Sequence, residues 1–262
     1  MKTSIIIVSY NSKPALKPCI DTLLANTSPP FEIIIVDNYS HDGSIQYLRK
    51  VNNPMVQTIF NQSNLGFAKA CNQGIASAQG NLLVTMNPDV LVPKGWLDRM
   101  AWHLKQNPQT LVMGPKGIGI GGRQYPGLLN YPSNLEAAAR KYAAVYRGQS
   151  EPVKFLIGCL ILFDRRLIEK VGLLDEKLPL GADDFDLSLR VRKAGYQLRV
   201  ARDVLIRHLV HLSFNRSNPD ECRRLADFSY QHFNRKWADE LDRYGWDGLF
   251  ENDQPVYPGD PS

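Results

Sequence analysis

A repeated alternation constrains this chain more than any other feature. Four short runs of apolar, largely β-branched residues (Ser4 to Tyr10, Glu32 to Val36, Val56 to Phe60 and Asn81 to Met86) are separated by stretches with helical spacing. Continuous apolar runs of this length suit strands buried on both faces. The intervening patterns run from Pro14 through Leu24, along Ile45, Leu48 and Val51, and from Leu65 to Ala78. The last is rich in small residues that allow a helix to pack close to a sheet. A β-α-β-α-β-α-β order requires a mostly parallel sheet with helices on both faces, an α/β fold.

Regular patterning continues through a polar turn at Asn87 to Val90, a helix near Gly95 to Lys105 and a strand near Thr110 to Met113. The character changes at Gly114. From there to Pro152 the chain is rich in Gly, Pro and Tyr, with one helical candidate, Asn134 to Val145. Long irregular stretches in a compact domain serve as binding loops or covers. A strand at Val153 to Phe163, helices at Arg165 to Val171 and Asp183 to Ala194, and a strand at Leu198 to Ala201 follow. Pro219 to Tyr244 reads as amphipathic helix, and Glu251 to Ser262 as a frayed end.

Composition narrows the class. Hydrophobic residues form 44% and charged residues 22% of the 262 positions, which excludes disordered, collagen-like and coiled-coil chains. The longest apolar stretch, Phe155 to Phe163, falls short of the about 20 residues of a membrane-spanning helix, and Ile5 to Val8 is too short for a signal-peptide core. A net charge of +5 fits anionic partners but is too small and scattered to indicate nucleic acid. Cys19, Cys71, Cys159 and Cys222 form no CxxC pair, so neither a zinc site nor a disulfide framework is expected, and a reduced, cytoplasmic protein is.

Binding sites in open α/β sheets form beyond the carboxyl ends of the strands. Three polar clusters fall there: Ser9, Tyr10 and Asn11; Asp37 and Asn38; and Asn87, Pro88 and Asp89. Each alone is accounted for by turn chemistry, but three on one sheet edge point to a site. One carboxylate there can accept hydrogen bonds from a base or ribose, and a second can hold a divalent cation. A fourth cluster holds Asp183, Asp184 and Asp186. Helix capping accounts for one or two acids. Asp186 can pair with Arg190 one turn later, worth tenths of a kcal/mol at a surface. Asp183 and Asp184 are left for chemistry, and a carboxylate among acids has the raised pKa of a general base. His208 and His211 follow the last strand and are candidate metal ligands.

These blocks resemble glycosyltransferase family 2, in particular its rhamnosyltransferase-like branch, over about residues 3 to 215. They are SIIIVSYN from Ser4, IVDNYSHDGS from Ile35, NLGFAKACNQG from Asn64, LVTMNPD from Leu83, Gly158, GLLDE from Gly172 and DDFDLSLRVRKAG from Asp183. The resemblance implies a GT-A fold that transfers a sugar, rhamnose or another hexose, from a nucleotide-diphosphate donor with inversion. The acceptor implied is a saccharide or lipid-linked glycan in surface polysaccharide assembly, at the inner face of the membrane. On this resemblance residues 1–113 form the donor half and 114–215 the acceptor half, with 216–262 a helical extension. Ser9, Tyr10, Asn11, Asp37, Asn38, Gly66, Asn72, Asn87 and Asp89 would bind the nucleotide sugar. Asp89, the last acid of the family's DxD motif, would hold Mg²⁺ or Mn²⁺ with His208 or His211, and Asp184, beside Asp183, would be the catalytic base. The first DxD acid is Asn87 here, and the family's Glu-Asp pair begins with the shorter Asp183.

Two other classes are compatible with such a sheet. A sugar-phosphate nucleotidyltransferase needs a Gly-rich basic loop after its first strand, which Ser9 to Lys13 lacks. A non-catalytic nucleotide-sugar binder would be expected to lack the base or the metal acid, and both are present.

Overall fold

The computed structural model describes residues 2–128, 132–210 and 219–261. Strands β1 (Thr3–Ser9), β2 (Phe31–Asp37), β3 (Val56–Phe60) and β4 (Leu82–Met86) alternate with helices α1 (Lys13–Asn26), α2 (Ser44–Leu48) and α3 (Phe67–Ser77). They pair in parallel in the order β3-β2-β1-β4. The small residues of α3 do what their size permits: a Cβ on Gly74 would lie 2.4 Å from the Ile6 side chain, so helix and strand are in direct contact.

The second half adds β5 (Val90–Leu91), α4 (Trp96–Gln106), β6 (Thr110–Ile118), a 3₁₀ turn at Gly122–Gln124 and α5 (Leu135–Val145). It continues with β7 (Ser150–Val153), β8 (Leu160–Asp164), α6 (Arg166–Val171), α7 (Asp183–Lys193) and β9 (Gln197–His208). The sheet extends as β4-β8-β6-β9-β5, with β7 also on β9. Strand β8 runs antiparallel to β4 and β6, while β6 and β9 are parallel. Two apolar layers cover the sheet: Leu16, Leu23, Trp96 and Met100 on one face, and Cys71, Ile75, Leu187 and Val191 on the other. This is the α/β architecture that the alternation requires.

Three expectations are corrected. The segment Val153 to Phe163 is not one strand. Its middle leaves the sheet because buried Lys154 turns its ammonium to the Gly248 and Gln254 carbonyls and the Asn252 side chain, while the Gly158 amide donates to Asp184. The strand expected at Leu198 to Ala201 continues to His208. The polar residues that conceal this are internally paired: Asp203 is buried against His103 Nε2 at 2.7 Å. The C-terminal end is not frayed. Asp260 forms a fully buried ion pair with Arg192 (2.8 Å) and accepts from the Val256 and Tyr257 amides.

Two further helices, α8 (Pro219–Lys236) and α9 (Ala238–Trp246), carry the chain to that end. Leu178, Ala182, Leu189, Phe233, Trp237 and Leu249 form a core of their own beside α7. Asp186 joins it to the helix. Its carboxylate, fully buried, accepts from Arg190 Nε (2.7 Å) and Trp237 Nε1 (3.0 Å) and pairs with Lys236 (2.7 Å). The expected pairing with Arg190 is present, but it is a buried network and not a surface contact.

Candidate active site

The parallel strands end at a cavity of about 490 Å³. Tyr10 after β1, Asn38 after β2, Gly66 before α3, Asn87, Pro88 and Asp89 after β4, and His208 at the end of β9 all line it. Five residues of the three strand-end clusters, Tyr10, Asn38, Asn87, Pro88 and Asp89, are thus brought together with His208. Ser9 and Asp37 lie beneath them, side by side in the β1–β2 register. Both are fully buried, and neither Ser9 Oγ nor Asp37 Oδ2 has a hydrogen-bond partner among the described residues. Buried polar atoms are ordinarily satisfied, so the Asp37 oxygen, one residue before cavity-lining Asn38, is an unmatched acceptor of the kind a ligand N–H or O–H satisfies. Asp37 Oδ1 accepts from the Ser40 amide (2.9 Å), and Ser40 Oγ in turn accepts from the Asn11 amide (2.9 Å).

Asn38 has a second role. It accepts from Asn61 Nδ2 and the Leu65 amide and donates to Asn64 Oδ1 and the Gly66 carbonyl. With its hydrogen-bonding capacity used, it braces the loop into α3. Gly66 has φ +81°, and a Cβ there would stand 2.7 Å from Pro179, so the loop and the 179–180 segment close on each other only with glycine. Asn72 lies elsewhere: it brackets the loop before α7 by bonding Leu174 and Glu176, and it does not line the cavity.

Asp89 and His208 meet across the β5–β9 pairing. His208 Nε2 lies 3.1 Å from Asp89 Oδ1 and 3.4 Å from Asn87 Nδ2, and the Leu209 amide donates to the Asp89 carbonyl (2.9 Å). His211 lies outside the described residues. Among those described no group of three or more His, Cys, Asp or Glu could enclose a metal ion. Asp89 and His208 would supply two ligands to a divalent cation, with phosphate and water completing its coordination.

The acid pair at the start of α7 is outside the cavity lining but close to it. The Gly158 amide donates to Asp184 Oδ2 (3.1 Å), and the carbonyl of the next residue, Cys159, accepts from the Asn87 amide (2.8 Å). Burial pushes the Cys159 thiol up to about 12, with the Asp89 and then the Asp184 carboxylate adding to the effect, so the thiol stays protonated. Burial likewise raises Asp183 well above the carboxylate range, reinforced by the charge of Asp184. Asp184 is raised by burial too, but the Gly158 and Phe185 amides donate to its oxygens and favour its charged form. Burial therefore favours the protonated form of both acids, and the two amides oppose it at Asp184.

Sequence patterning did not assign α8 to the site. Glu221, Cys222 and Leu225 from its first turns line the cavity, and the Leu180 amide donates to Ser229 Oγ (3.1 Å). Amphipathic spacing was the available signal, and it gives a helix without saying what its apolar face covers.

Comparison with known proteins gives a consistent picture. The family model for glycosyl transferase family 2 matches residues 4–172. A Bacillus subtilis (strain 168) protein named uncharacterized glycosyltransferase YfnE is 24% identical, over 87% of this chain and 68% of its own length. An N-acetylglucosaminyl-diphospho-decaprenol L-rhamnosyltransferase of Mycobacterium tuberculosis (strain ATCC 25618 / H37Rv) is 25% identical, over 79% and 76% respectively. The crystal structure of GalNAc-T7 with UDP, GalNAc and Mn²⁺ superposes with a TM-score of 0.66 at 18% identity, covering 94% of this chain and 50% of that one. For S. aureus TarS 1-349 in complex with UDP-GlcNAc the TM-score is 0.61, again at 18% identity, covering 93% and 72%. The architecture is the GT-A fold, and with the family model spanning β1 to the end of α6, the chain belongs to glycosyl transferase family 2.

Proposed function

We propose that this glycosyltransferase moves a sugar, rhamnose or another hexose, from a uridine or thymidine diphosphate donor to a hydroxyl of a saccharide or lipid-linked glycan, with inversion. One juxtaposition carries the reading: adjacent residues of one segment hold both acids' surroundings, the Gly158 amide bonding Asp184 and the Cys159 carbonyl bonding the amide of Asn87 in the turn that carries Asp89. Inverting displacement needs a base on one face of the anomeric carbon and charge stabilisation for the leaving diphosphate on the other. Asp184 takes the acceptor proton as the hydroxyl oxygen bonds the anomeric carbon, and the electrons of the broken glycosyl–phosphate bond leave with the diphosphate. Asp89 and His208 would hold Mg²⁺ or Mn²⁺, which when bound supplies positive charge against the leaving phosphate. Ser9, Tyr10 and Asp37 bind the nucleoside, and residues 1–113 form the donor half. The relatives named for rhamnosyl transfer to a lipid diphosphate and for UDP-GlcNAc binding support this donor and acceptor class.

The test is a panel of UDP-, dTDP- and GDP-sugars with Mn²⁺ or Mg²⁺, read by thermal shift and by release of nucleoside diphosphate. A metal-dependent shift with at least one uridine or thymidine donor, with slow release of the diphosphate, is the expected result. A protein that responds to none of them does not have this function.

A further inference from the structure

A second cavity, of about 880 Å³, is lined by Phe185, the residue that follows the acid pair. Its floor is aromatic. Phe155 and Phe185 stack at 4.2 Å with their planes 14° apart, and Trp246 meets Phe185 edge-on at 4.7 Å. Phe250 lies 4.6 Å from Trp246. The rings are not sealed in a core: Trp246 is 38% exposed. Arg123 and Asp253 at the rim are paired at 2.8 Å although their side chains are 62% and 84% exposed. Buried Lys154 holds the loop that carries Asn252 and Asp253 against this floor.

The lining identifies the kind of ligand. Arg123 and Lys154 are offset by Glu251 and Asp253, so the cavity has no excess charge with which to select an anion. Partly exposed rings beside hydrogen-bonding groups suit a neutral molecule with an apolar face and polar edges, as a sugar ring has. An exposed ion pair contributes little and is readily exchanged for bonds to hydroxyls. The position fits as well. Phe155 lines this cavity, the Gly158 amide holds Asp184, and the Cys159 carbonyl holds the Asn87 turn at the first cavity. Four residue steps span at most about 14 Å, within reach of a short oligosaccharide. Phe185, on the floor, directly follows Asp184.

We propose that this cavity is a saccharide subsite that holds a sugar ring of the acceptor adjoining the glycosylated one. The ring stacks on Trp246, and its hydroxyls bond Arg123, Asn252 and Asp253. The subsite rests on Asp184 being the base, since that places the reacting hydroxyl beside it.

Saturation-transfer NMR with the methyl glycosides of glucose, galactose, rhamnose and N-acetylglucosamine tests it on the full chain. The wild type is expected to give transfer to at least one glycoside. That signal should be lost in Trp246→Ala, reduced in Asp253→Asn and unchanged in Trp102→Ala, whose indole is exposed in a separate groove. A thermal shift with UDP and Mn²⁺ checks each variant for fold and donor binding. Absence of transfer to every glycoside overturns the subsite, as does transfer that survives both Trp246→Ala and Asp253→Asn. Loss of the UDP response with glycoside binding intact would contradict the donor reading and leave the subsite standing.

Discussion

His208 Nε2 and Asp89 Oδ1 lie 3.1 Å apart although 119 residues separate them in the chain. The contact follows from the sheet: Val90 pairs with His208 in register, so the residue before β5 and the last residue of β9 are forced together at the cavity. Removing either should remove the divalent-cation dependence of nucleotide binding. Asp89→Ala and His208→Ala are expected to lose the Mn²⁺-dependent part of the thermal shift with UDP, and EDTA should do the same to the wild type. A full shift in excess EDTA would contradict the assignment.

Asp37 is the second proposed point of attachment for the nucleotide. Its Oδ2 is buried and without a partner among the described residues, so a ligand donor there gains a charged hydrogen bond. Asp37→Ala should weaken UDP binding by about 1–3 kcal/mol, the cost of leaving such a partner unmatched. Calorimetry giving unchanged affinity would remove Asp37 from the site.

Much of this was legible in the sequence, for a physical reason. Strands buried on both faces are written as uninterrupted β-branched runs, and their polar ends must then gather at one edge. Tyr10, Asn38, Asn87 and Asp89 stand at such ends in the sequence and line one cavity in the structure. What stayed hidden depends on partners distant in sequence. Lys154 interrupts an apolar run because the residues that satisfy it lie in the C-terminal loop. Asp203 hides the second half of β9 until His103 is seen against it. Asp260 orders a tail of turn-forming residues only because Arg192 is buried beneath it.

Asp186 illustrates the same point in energetic terms. Its carboxylate is fully buried among Arg190, Lys236 and Trp237, and it ties α7 to the C-terminal helices. Asp186→Ala leaves these donors unmatched and should cost about 2–4 kcal/mol, far above the tenths of a surface pair. Urea unfolding measures this, and a loss below about 0.5 kcal/mol would show that the network is not stabilising.

The burial of Asp183 has a pH signature. Its folded-state pKa is raised to about 8, chiefly by burial and then by Asp184, against about 3.9 in an unfolded chain. The folded state therefore binds more protons between these values, and the stability present below the lower one is lost as pH rises toward the upper. Asn does not titrate. Asp183→Asn should be more stable than the wild type by about 1–3 kcal/mol near pH 8, and the gain should vanish near pH 4. A gain independent of pH would place its origin elsewhere.

The central claim is that Asp184 removes the acceptor proton. Asp184→Asn keeps the size of the side chain and an oxygen for the Gly158 or Phe185 amide while deleting the basic carboxylate. The direct measurement is the rate of sugar transfer from the donor identified by the nucleotide-sugar panel to its acceptor, alongside UDP affinity. The account predicts turnover reduced by about 10²–10⁴ with UDP affinity unchanged. Turnover near the wild-type rate in Asp184→Asn would contradict it.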